Sequence, residues 1–162
     1  MPSFEKRLRF LAVKVDRNRY IVAIRTAFIA AMPLFIAGSI FLLLANLPIQ
    51  VYTTFMQAAF GESWQEIFTI PNQATMGMMT VYIIVGVAGS LAKHYKLLDD
   101  FSTIMSALAA FFLITPIHDF IDPELGSGFS IESLGSSTLF TGILVAILTV
   151  EILHFCEAKM LQ

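Results

Sequence analysis

The chain has 162 residues, of which 57% are hydrophobic and 14% charged, with a formal net charge of -2 and a mean hydropathy of +0.76. A soluble domain carries about 25% charged residues, so this composition excludes an ordinary soluble enzyme. It points instead to a membrane chain. Its basic residues are divided among segments flanking the apolar runs, a distribution that gives no nucleic-acid surface. A single cysteine, Cys156, excludes an internal disulfide framework.

Residues 4–20 carry Phe4, Leu8, Leu11 and Val15 at helical spacing among Lys6, Arg7, Arg9, Lys14 and Arg17. This pattern predicts an amphipathic helix in the cytoplasmic interface, with its cations near anionic headgroups, as the core of a region 1–26. The basic stretch is too long for a signal peptide, so the first span is expected to be retained. A hydrocarbon core of about 30 Å needs roughly 20 helical residues, and the charge-free stretch 26–61 holds one span, placed at 27–46. It contains Pro33 and the small residues Ala30, Ala31, Ala37, Gly38 and Ser39, which favour close packing inside a bundle. Asn46, Leu47 and Pro48 are expected to end it.

Residues 49–73 read as an outside loop. Val51, Phe55, Ala58 and Ala59 allow a short interfacial helix, while Phe60, Trp64 and Phe68 suit an aromatic belt at headgroup depth. Pro71 and Asn72 then read as the start signal of a second span at 74–92, in which Gly86 and Ser90 form a small-xxx-small pair. Lys93, His94 and Lys96 follow it. A third span at 101–117 is preceded by Asp99 and Asp100, which complement its helix dipole, and closed by Thr115 and Pro116. After an acidic, glycine-containing loop, a fourth span at 134–155 carries Gly142 and Ala146 as another small pair. Residues 156–162 are a cytoplasmic tail.

All ten Lys and Arg residues fall before the first span, between the second and third, or after the fourth. The positive-inside rule therefore predicts an all-α membrane protein: an interfacial helix and four transmembrane helices, both termini cytoplasmic. The packing candidates are Gly38, Ser39, Gly86, Ser90, Gly142 and Ala146.

Motifs of soluble enzymes are absent: no phosphate-cradling glycine loop, no HExxH and no GxSxG. His94, His118 and His154 are far apart in the chain and give no metal-ligand spacing. Glu151 is the one charged residue inside a predicted span, which makes it a functional-site candidate by default. Counted from Leu134 it follows roughly 25 Å of helix, so it is expected near the cytoplasmic surface, within reach of Lys159 or an N-terminal arginine. The other polar groups in the spans, mainly Ser39, Thr75, Thr80, Tyr82, Ser106 and Thr141, do not assemble a sugar site. No catalytic, substrate-binding, metal or cofactor residue is assigned.

Several segments resemble the N-terminal half of a bacterial phosphotransferase-system permease, the enzyme IIC component of the lactose/cellobiose/chitobiose family. They are Asn18-Arg19-Tyr20 with Ala23-Ile24-Arg25, FIAAMPLFIAGSIFLLLANLPI at 28–49, YIIVGVAGSLAKHYKLLDD at 82–100, FFLITPI at 111–117 and LGSSTLFTGILVAILTVEI at 134–152. The resemblance implies a longer inner-membrane permease that carries a β-linked disaccharide inward and works with cytoplasmic A and B components. In that family the N-terminal half builds scaffold and dimer interface, and the sugar-contacting residues belong to the C-terminal half. The expected partners are thus lipid, a second copy or a longer permease chain, and the A and B components. Transport by this chain alone is not expected. The rival expectation is a non-transporting four-span protein that modulates an intact permease. A compact four-span exporter would want an acidic residue deeper in a span than Glu151.

Overall fold

The computed structural model describes residues 18–116, 118–119 and 127–160. The interfacial helix expected over 4–20 lies almost wholly outside them. The described part is helical apart from a two-residue antiparallel ladder, His118–Asp119 (β1) with Ser127–Gly128 (β2).

Helix α1 spans Arg19–Ala45. It begins eight residues before the predicted span because the Asn18 side chain caps it, accepting from the Tyr20 N–H at 3.1 Å. At its other end the Asn46 amide donates to the Leu42 carbonyl at 2.9 Å. The face that α1 buries is made of small residues, Ala23, Ala27, Ala31, Gly38 and Ala45, while Ile29, Met32, Ile36, Ile40 and Leu43 are exposed. In water this arrangement would be inside out. In a bilayer it is the expected one, since large apolar side chains gain nothing by leaving lipid and small ones let backbones approach.

The outside loop expected at 49–73 is largely helical. Helix α2 (Gln50–Phe60) is followed by α3 (Glu66–Asn72), a π-helical turn (Gln73–Gly77) and α4 (Met79–Tyr95). The last three run as one membrane-length rod, Glu66–Tyr95. Pro71 and Asn72 therefore lie inside this rod and do not start it. Pro71 has no N–H to give the helix, and the rod passes through the π turn directly after it. Thr75 Oγ1 donates to the carbonyls of Pro71 and Asn72 at 2.8 and 3.0 Å. Trp64 also departs from the expected aromatic belt. It is only 2% exposed, held edge-on between Tyr52 and Phe68 with ring centroids 5.5 and 6.3 Å away. Phe60 does remain exposed.

Helix α5 (Asp100–Ile114) is capped by the Asp99 side chain, which accepts from the Phe101 N–H at 3.0 Å. A short helix α6 (Ile131–Leu134) and a 3-10 turn (Ser136–Thr138) lead into α7 (Leu139–Met160). Arg19–Ala45, Glu66–Tyr95 and Ser136–Met160 are long and apolar enough to cross a membrane. Helix α5, with 15 residues, is about 22 Å long and shorter than the roughly 30 Å core.

The bundle is centred on α4, which packs against α1, α5 and α7 and keeps Ile83, Ile84, Val87, Ala88, Leu91 and Ala92 fully covered. Its closest neighbour is α1. A Cβ added at Gly86 would stand 2.6 Å from the Ala27 Cβ and 2.8 Å from its Cα. On the opposite side, a Cβ at Gly142 of α7 would meet Thr80 Cγ2 at 2.5 Å and Ile84 Cδ1 at 3.0 Å. Gly38 faces Thr75 and Met76, and Ala146 is fully buried. Ser90 is half-buried, whereas Ser39 is exposed, with its hydroxyl turned back to its own helix at the Ile36 carbonyl.

Gly86→Ala should therefore destabilise the bundle by about 1–3 kcal/mol through overpacking against backbone. At Gly89 an added Cβ meets only the end of the Ile104 side chain, at 3.2 Å, so Gly89→Ala should cost much less. Thermal unfolding of the two variants in detergent micelles checks the order.

Candidate functional site

Glu151 sits 12 residues into α7, facing the end of the bundle where α1 starts and α4 stops. Its carboxylate oxygen Oε1 accepts from the Tyr20 hydroxyl of α1 at 2.7 Å and from the Tyr95 hydroxyl of α4. Arg19 places its guanidinium 3.7 Å from the same oxygen, 2.9 Å from the Tyr20 hydroxyl as a donor, and 4.8 Å above the Tyr95 ring. His154, one turn further along α7, stacks on Tyr95 with ring centroids 4.3 Å apart and planes 20° apart. His94 meets the same ring edge-on at 5.8 Å. One carboxylate thus ties three helices together.

The contributions differ in size. Hydrogen bonds to a charged acceptor contribute about 1.5–3 kcal/mol when sheltered. The Arg19–Glu151 pair is exposed, with side-chain accessibilities of 41% and 32%, and such pairs contribute about 0–1 kcal/mol. The tyrosine hydroxyls are therefore the main fastening. Of the two cations expected near Glu151, the arginine is present as Arg19, whereas Lys159 lies over the Phe155 ring at 5.8 Å.

Glu151 stands out in the sequence as a charge within an apolar run, whereas Tyr20 and Tyr95 lie in Asn18-Arg19-Tyr20 and the stretch 82–100 with nothing local to mark them as its partners. The available signal was depth, since Tyr20, Tyr95 and Glu151 all map to the same predicted face. Periodicity within one helix cannot reveal a meeting of three.

Several hydroxyls of the apolar helices are engaged by backbone carbonyls. Thr80, fully buried, donates to the Gly135 carbonyl at 2.5 Å, and Tyr82 donates to Ala74 at 2.7 Å. Ser106 donates to Ser102 and Thr149 to Val145, both at 2.8 Å within their own helices. A cleft of about 400 Å³ opens between the π turn and α6, lined by Asn72, Met76, Gly77, Glu132, Ser136 and Ser137 among others. The Asn72 amide is already committed to the Gly38 carbonyl at 2.9 Å. Glu151 is not among the residues lining that cleft.

Comparison with known proteins gives the family. Residues 25–162 match the family model for the phosphotransferase system, EIIC. The chain belongs to the phosphotransferase-system EIIC family. Among curated relatives, the oligo-beta-mannoside-specific EIIC component of Bacillus subtilis is 38% identical over 92% of this chain and 34% of its own length. The cellobiose-specific EIIC component of Geobacillus stearothermophilus is 37% identical over 91% and 34%, respectively. The lactose-specific EIICB component of Staphylococcus aureus is 32% identical over 90% and 25%. The crystal structure of ChbC, the IIC component from the N,N'-diacetylchitobiose-specific system, superposes with a TM-score of 0.86 at 33% identity. That match covers 97% of this chain and 38% of ChbC.

The chain therefore spans about a third of the length of the EIIC relatives it matches. Family membership and three membrane-length apolar helices make it an integral membrane protein. The Glu151 cluster lies within the matched residues except for Arg19 and Tyr20, which precede the boundary at residue 25.

Removing the acceptor and each kind of partner in turn separates the two contributions, since the tyrosines and Arg19 all meet Glu151 Oε1. Glu151→Ala should lower the unfolding free energy by about 2–3 kcal/mol, and Tyr95→Phe by about 1–2 kcal/mol. Arg19→Gln should cost no more than about 1 kcal/mol. Denaturation of the four proteins in the same micelle checks the order. An Arg19 effect equal to that of Glu151→Ala would show that charge pairing holds the site.

Proposed function

We propose that this chain is the N-terminal scaffold and dimerisation part of an EIIC permease for a β-linked disaccharide such as cellobiose, chitobiose or lactose. The rest of the permease supplies the sugar site, and cytoplasmic A and B components supply the phosphate. The observation that carries this reading is the ChbC match, which uses nearly all of this chain and well under half of the transporter. The named specificities of the relatives support the sugar class. The engagement of Thr80, Tyr82, Ser106 and Thr149 by backbone carbonyls supports a scaffold role, since a sugar site needs convergent free polar groups.

The proposed topology is four spans with both termini in the cytoplasm of a bacterial inner membrane. Two observations favour a crossing by α5 despite its shortness. Helix α4 stops at the Glu151 end, and α7 reaches that same end in its second half. The intervening α5, packed against both, must return the chain to the opposite end. The positive-inside rule then assigns the Arg19, Lys93 and Lys159 end to the cytoplasm.

With Cys156 replaced by serine, Ser63→Cys and Ser127→Cys should react with an impermeant thiol reagent added outside intact cells. Lys96→Cys should react only after lysis. The opposite pattern would invert the map.

The functional reading has a separate test. Purified chain reconstituted in vesicles should neither bind nor take up labelled cellobiose, chitobiose or lactose. Co-production with a polypeptide carrying the remaining permease segments should restore phosphotransferase-dependent uptake. Uptake or saturable sugar binding by 1–162 alone would refute the scaffold assignment.

A further inference from the structure

A groove of about 350 Å³ runs between α1, α4 and α5, separate from the Glu151 cluster. Its walls in the apolar zone come from Ala30 on α1 and Gly86 and Gly89 on α4. It continues past Ser90 to two residues of opposite charge, Lys93 and Asp100. From Gly86 to Lys93 the α4 wall climbs about 10 Å, so the groove joins an apolar slot to a charged mouth. This volume falls in the range of about 300–1,000 Å³ seen for small-molecule sites.

Both charges suit the helix ends they occupy, Lys93 in the last turn of α4 and Asp100 in the first turn of α5. The side-chain cap of α5 is Asp99, so the Asp100 carboxylate is not bound to backbone there. Among the described residues neither Lys93 nor Asp100 has an ion-pair partner, and they do not pair with each other although both line one groove. An acid and a base held apart at the mouth of an apolar slot complement a ligand with an anion, a cation and a hydrocarbon chain.

We propose that this groove binds one aminophospholipid of the phosphatidylethanolamine type. Its phosphate is held by the Lys93 ammonium, its own ammonium donates to the Asp100 carboxylate, and an acyl chain lies along Ala30, Gly86 and Gly89. Charge chemistry sets the selectivity. Phosphatidylglycerol offers neutral hydroxyls in place of the ammonium and leaves the Asp100 charge unneutralised. Phosphatidylcholine carries a quaternary ammonium with no N–H to donate. A helix from another polypeptide could fill the apolar slot but leaves both charges unanswered. The proposal requires only that α1, α4 and α5 lie in a bilayer, so it stands or falls independently of the sugar assignment.

The test is native mass spectrometry of the chain released from nanodiscs containing equal amounts of phosphatidylethanolamine, phosphatidylglycerol and phosphatidylcholine. One phosphatidylethanolamine should be retained severalfold above the other two. Lys93→Gln and Asp100→Asn should each abolish that preference. Ala30→Phe, at an exposed position on the groove wall, should lower retention of all three lipids. Thermal unfolding in pure phosphatidylcholine should shift only slightly in the two charge variants, as expected for single charges at helix ends, which separates lost binding from lost folding. Equal retention of the three lipids, or preference surviving both charge variants, would overturn the proposal. So would disulfide crosslinking of Ala30→Cys to a second copy or another chain in phosphatidylethanolamine membranes, because a protein segment would then occupy the groove.

Discussion

Hydrocarbon removes the usual reason for helices to associate, because lipid tails are as apolar as leucine, and what remains is the closeness with which backbones can pack. In this bundle that closeness is set where Ala27 of α1 rests on Gly86 of α4, with no room for even one more carbon. Much else follows from that contact. The buried face of α1 must be small along its length, so its large side chains are displaced to the lipid side. Once α1 covers one flank of α4, α5 and α7 take the others, and α7 repeats the device at Gly142 against Thr80 and Ile84. The core is therefore built around a single helix.

Close packing does not by itself satisfy the backbone, and the polar side chains of the apolar helices answer that need. Pro71 lacks an N–H, and the π turn after it disturbs the regular ladder. Thr75, Tyr82 and Asn72 give donors to carbonyls in or beside this stretch, at Pro71, Ala74 and Gly38. Among the described residues no buried side-chain nitrogen or oxygen is left without a partner. The hydroxyls of Thr75 and Tyr82 are thus occupied in holding the rod together.

The parts legible in the sequence were those governed by length and charge. A charge-free stretch over 26–61 locates α1, and Asp99 before an apolar run locates the start of α5. What was not legible depended on neighbours. Pro71 and Asn72 read as a helix start because a proline is costly inside a helix, yet the rod runs on through them into the π turn at Gln73–Gly77. Trp64 read as a headgroup anchor because tryptophan favours interfaces, but Tyr52 and Phe68 enclose it. The Glu151 site was half legible. Its carboxylate was conspicuous as a charge within an apolar run, while Tyr20 and Tyr95 come from helix ends 131 and 56 residues away along the chain. Nothing in a single helix's pattern encodes such a meeting.

The position of those ends bears on what Glu151 can do. Tyr95 is the last residue of α4, and Arg19 and Tyr20 are the first two of α1, so the carboxylate is level with two helix termini rather than midway along them. Helix α7 continues about 14 Å beyond it to Met160. That extension leans on neighbouring elements through the His154–Tyr95 stack and through Glu157, whose Oε2 accepts from the Leu98 N–H at 3.4 Å. A carboxylate at this level, with accessibility of 32%, does not require the strong desolvation that makes mid-membrane acids costly. It is affordable without a transport role, because two hydroxyls and a guanidinium already answer its charge. The geometry therefore fits a fastening that fixes where α7 leaves the bundle.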